Sequence, residues 1–83
     1  MIPRVTEAHG FEVRVRGRIG PAALRSVEPW TVQGIDGSTS ILMPYADRGA
    51  LNGLLYRLDD FGLELVEVSP LAPEVARSLT SAR

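Results

Sequence analysis

His9, the serines Ser26, Ser38 and Ser40, and the adjacent carboxylates Asp59 and Asp60 are the first residues to test for chemistry. A single imidazole in a chain without cysteine is a poor transition-metal donor set. Neighbouring residues on a helix point about 100° apart, so Asp59 and Asp60 do not converge on one bond as an acid–base pair. No serine stands in a G-x-S-x-G context, and no motif places the histidine beside one. Gly17-Arg18-Ile19-Gly20 lacks the full glycine fingerprint of a dinucleotide site. All nine basic residues are arginine, which removes Schiff-base and phosphate-loop lysine chemistry. The expectation is a non-enzymatic protein with no cofactor and no metal.

The formal net charge of −1 argues against binding nucleic acid or an anionic membrane by bulk charge. Apolar residues make up 45% and charged residues 23% of 83 positions, the balance of one small globular domain. The absence of cysteine excludes disulfides and thiolate catalysis. No apolar run approaches the roughly 18 residues that would suggest a membrane helix. Met1-Ile2-Pro3-Arg4 does not read as a signal peptide, and a cytoplasmic location is expected.

The elements that would position any site follow from periodicity. Phe11, Val13, Val15 and Ile19 alternate with Glu12, Arg14, Arg16 and Arg18, which predicts an amphipathic strand over 11–19. Gly20-Pro21 breaks it, and Pro21 suits the first turn of a short helix through Ala22, Ala23, Leu24 and Val27. Residues 30–33 read as a second strand, Gly34-Ile35-Asp36-Gly37 as a turn, and 39–43 as the returning strand. Asp47 is placed to cap a helix whose apolar face is Ala50, Leu51, Leu54, Leu55, Leu58 and Phe61. Gly62 follows as its C-terminal cap, and Gly53 is expected where another element comes close. A last strand is predicted over 63–68. Residues 1–9 read as a flexible arm, 10–69 as the domain, and 70–83 as a C-terminal tail or short helix.

Strand, helix, strand, strand, helix, strand is the ferredoxin-like order. The expected fold is α+β, a βαββαβ sandwich with a four-stranded antiparallel sheet and two helices on one face. The other face would then carry Glu12, Arg14, Arg16 and Arg18. Same-face neighbours stand about 6.6 Å apart along a strand, where like charges in water repel by only about 0.6 kcal/mol. An arginine row is therefore tolerable as a solvated face. If Leu63 and Leu65 turn to the helices, Glu64, Val66 and Val68 join the open face. Arginine beside aliphatic side chains is the composition of an interface. The expected partner is a second copy of the chain, as a homodimer, or another protein. Glu12, Arg14, Arg16, Glu64, Val66 and Val68 are the expected contact residues. RNA-recognition motifs share this element order but carry aromatic residues on the open face, where this chain has Glu12, Arg14 and Arg16.

Two resemblances add expectations. Arg16-Gly17-Arg18-Ile19-Gly20-Pro21-Ala22-Ala23-Leu24 resembles the first strand-to-helix loop of ACT regulatory domains, which share the element order and bind amino acids or similar small effectors at subunit interfaces. The acidic residue usual in that loop is absent, and Arg18 stands near its position. The resemblance implies a small-molecule site at Arg18, Gly20 and Pro21, better suited to an anion than to an amino group. The stretch from Asp47 through Ala50-Leu51-Asn52-Gly53-Leu54-Leu55 to Phe61-Gly62-Leu63-Glu64-Leu65 is similar to small bacterial proteins of uncharacterised function. It implies no activity.

Overall fold

The computed structural model describes residues 9–80. The elements are β1 (Gly10–Arg16), α1 (Pro21–Ser26), β2 (Thr31–Ile35), β3 (Ser38–Pro44), α2 (Arg48–Asp60), β4 (Leu65–Pro70) and α3 (Pro73–Thr80). The four strands form one antiparallel sheet in the order β2-β3-β1-β4. The fold is α+β, as expected. Residues 1–8 of the expected arm, and residues 81–83, lie outside the described residues.

Local chemistry explains most boundaries. The β2–β3 hairpin turns on two residues, Asp36 (φ 41°) and Gly37 (φ 79°). Positive φ at both central positions matches the twist of the strands they join. The turn is tighter than expected because Gly34 stays in the ladder, opposite Thr39. In α2 the Asp47 carboxylate accepts from the Ala50 N–H at 2.8 Å, as its spacing predicts. The other end closes through Leu63 N–H to the Leu58 carbonyl at 3.0 Å and Gly62 N–H to Asp59 at 2.9 Å. Gly53 does not mark a close contact: nothing lies within 4 Å of where its Cβ would stand.

The first strand is shorter than the alternation suggests. It ends at Arg16 because Gly17, at φ 80°, turns the chain. The Gly17 N–H donates to the Gly37 carbonyl at 2.8 Å, and the Thr39 hydroxyl donates to the Gly17 carbonyl at 2.6 Å. Ile19 packs on the core from the loop instead. Gly10, at the other end, has φ 96°, and a Cβ there would overlap the Met43 carbonyl. Only glycine fits where β1 meets β3 this closely.

The sheet's two faces are covered differently. Phe11, Val13, Val15, Ile41 and Met43 form the main core with Val27 and with Leu51, Leu54 and Leu58 of α2. On the opposite face Leu42 joins Leu71, Ala76 and Leu79 in a second cluster under α3. The C-terminal segment is thus a docked helix, and the face expected to lie open is partly capped by it. The last strand also differs: it begins at Leu65, and its register against β1 shifts between Arg14 and Val15.

Candidate functional site

The residues first tested for chemistry lie apart from one another in the fold. His9 lies beside Tyr45, with ring centroids 6.4 Å apart. Asp59 and Asp60 are exposed near the C-terminus of α2, and Asp59 borders a shallow recess with Asn52, Leu55 and Tyr56. The Ser26 hydroxyl is shielded and has no partner among the described residues. Ser40 donates to Glu12 Oε2 at 2.8 Å, the closest approach to a catalytic pairing. It is fully buried, so no substrate reaches its oxygen. Among the described residues, no three His, Cys, Asp or Glu side chains gather as a metal site, and no helix is long and apolar enough to cross a membrane.

On the face opposite α1 and α2, register places Glu12 opposite Leu42 and Ser69, Arg14 opposite Ser40 and Glu67, and Arg16 opposite Ser38. Most of the polar capacity there is used internally. Glu12 Oε2 also receives Arg14 Nη2 at 3.4 Å, while Arg14 Nε is shielded without an acceptor. Arg16 Nε pairs with Glu64 Oε1 at 3.1 Å, both side chains being well exposed. Glu12, Arg14 and Arg16 therefore share a face as the alternation predicts. Arg18 does not join them, because it follows the Gly17 turn.

Val66 and Val68 depart from the expected set. Val68 stands opposite Val13, a core residue, so it faces the helix layer and not the open face. Leu65 stands opposite Val15 on that same side, and Val66 is the extra residue of the bulge between Leu65 and Glu67. Alternation back from Val68 through Glu67 brings Val66 to the helix side as well. The bulge thus gathers three aliphatic residues along one side of an edge strand. They remain 48%, 49% and 36% exposed at Leu65, Val66 and Val68, because β4 has no strand beyond it among the described residues. Tyr56 and Phe61, from α2 and its C-terminal end, are exposed too. The trace in the sequence is a phase break, where the alternation Leu63-Glu64-Leu65 restarts as Val66-Glu67-Val68.

The loop expected to bind a small molecule borders two neighbouring grooves. One, of about 460 Å³, lies between the β1–α1 loop and the β2–β3 hairpin and is bordered by Arg18, Ile19, Leu24, Val32, Asp36 and Ser38. Neither the Arg18 nor the Asp36 side chain has a hydrogen-bond or ion-pair partner among the described residues. Pro21 borders the other groove, of about 450 Å³, with Arg25, Glu28 and Trp30. Leu24 and Val32 line both. Gly20 borders neither and has ordinary φ, with Pro21 opening α1 as predicted. The left-handed glycine of this loop is Gly17.

The family model "Domain of unknown function (DUF8691)" matches residues 10–69. The chain belongs to this family. The matched stretch runs from the first residue of β1 almost to the end of β4, so α3 and its side of the Leu42 cluster lie beyond it. No curated protein and no solved structure matches the chain.

Proposed function

We propose that this DUF8691 domain is a non-enzymatic, self-associating interaction or regulatory module that works in the cytoplasm as a homodimer. The observation that carries this reading is the β4 edge, where Leu65, Val66 and Val68 are exposed on a strand whose outer backbone is unpaired among the described residues. Folded proteins blunt or cover such edges, because a bare apolar edge is a template for another strand. We assign the first four strands and two helices to a ferredoxin-like arrangement, supported by the element order and by the central position of β1 and β3. The added helix α3 is this chain's own departure from it. Sedimentation or light scattering across a concentration series tests the reading. A dimer mass is expected, and a strictly monomeric mass at the highest concentration would sink it.

A second reading is favoured by one specific observation: Arg18 and Asp36, both without side-chain partners among the described residues, border the same groove over apolar walls. This would be a small-molecule effector site, ACT-like in position, taking an anionic or amino-acid ligand. A thermal-shift screen over amino acids, nucleotides and organic anions separates it from the first. It expects a specific shift that Arg18→Ala abolishes, and no shift across the set leaves the interaction module alone.

A further inference from the structure

We propose that two copies of the chain join along β4, antiparallel about a twofold axis at Glu67, into one eight-stranded sheet. This inference rests on the self-association reading and names the surface and the partner. The two edges of the sheet are unlike. The β2 edge carries Thr31, Gln33 and Gly34 among its five residues, and Gly34 offers no side chain to a neighbour. The β4 edge presents three aliphatic residues on one side, alternating with Glu67 on the other.

A twofold axis normal to the sheet keeps each face on its own side. With the axis at Glu67, Val66 of one copy stands opposite Val68 of the other, twice, beneath the helix layers. On the other face the two Glu67 side chains meet, each with Arg14 opposite it on β1. The resulting row of arginine, glutamate, glutamate and arginine has no net charge. Glu64 likewise carries its own counter-ion in Arg16. The facing Glu67 carboxylates are therefore offset by Arg14, which stands opposite them by register and is shared with Glu12, its partner within each copy. Pro70, which has no N–H to give, falls at the end of the shared ladder, where pairing stops.

A six-residue strand is about 20 Å long, and contacts of that length belong to the small, reversible class of interfaces. Association is therefore expected to depend on concentration. The chain has no cysteine, so a single introduced thiol reports unambiguously. Residues directly opposite across an antiparallel pair have Cα atoms about 4.5–5.5 Å apart, within disulfide range. Under mild oxidation Glu67→Cys is expected to form a covalent dimer, and Gln33→Cys on the β2 edge is not. Val66→Lys is expected to raise the dissociation constant about ten-fold or more, with an unchanged circular dichroism spectrum. Arg16→Glu, away from the axis, tests packing through the open face, and a smaller loss than for Val66→Lys is expected. A wild-type dimer that Glu67→Cys does not trap and Val66→Lys does not weaken overturns the β4 edge and leaves self-association standing. Trapping through Gln33→Cys, or collapse of the dimer in Arg16→Glu alone, also overturns it. A monomer at every concentration overturns both readings.

Discussion

The two faces of this sheet are built from the same strands by the same alternation, yet they are finished differently. The face of Val13, Val15, Ile41 and Met43 is closed by α2 and by Val27 into a dry core. The face of Glu12, Arg14, Arg16 and Ser40 is closed at one end by α3 and for the rest by its own ion pairs and hydrogen bonds. The comparison teaches that an amphipathic strand does not by itself leave a docking face. Polar side chains of that face pair largely with one another, within β1 and across strands, and the exposed aliphatic side chains gather at the β4 edge instead.

The sharpest way to break that comparison is to damage one face at a time. Leu54→Ala empties a fully buried position of the main core and is expected to cost about 2–5 kcal/mol in denaturant unfolding. Leu42→Ala removes the sheet's contribution to the α3 cluster. It is expected to cost about 2 kcal/mol, with hydrogen exchange rising first in residues 73–80. An equal rise across β1 and β3 would mean that the two faces are not separable. Ser40→Ala takes one donor from Glu12 and is expected to cost about 1 kcal/mol, well below Leu54→Ala.

Two smaller effects refine the contrast. Gly53→Ala replaces a mid-helix glycine with nothing within 4 Å of the added Cβ, and is expected to stabilise the domain by up to about 1 kcal/mol. Destabilisation instead would reveal the close contact that the sequence suggested there. Glu64→Gln breaks an exposed ion pair with Arg16 and is expected to change stability by less than about 0.5 kcal/mol, less still at high salt.

The sequence by itself determined what depends on near neighbours. The Asp47 cap, the Gly62 closure, the Leu51–Leu54–Leu58 face, the start of α1 at Pro21 and the inward side of Phe11, Val13 and Val15 all follow from contacts within a few residues. Periodicity reports such contacts directly. What it could not reach were decisions taken between distant segments. Gly17 ends β1 at Arg16 by bonding to Gly37 and Thr39 across the sheet, and this moves Arg18 off the strand and splits it from Gly20 and Pro21. The bulge in β4 exists only relative to β1, and it turns Val66 and Val68 from the open face to the helix side. The docking of α3 depends on Leu42, roughly thirty residues earlier in the chain. Register and docking are settled by which long-range pairing buries most apolar surface while satisfying the backbone, and a one-residue slip exchanges the faces of a strand. The candidate surface, an edge with its aliphatic side chains drawn together, was created by the tertiary fold.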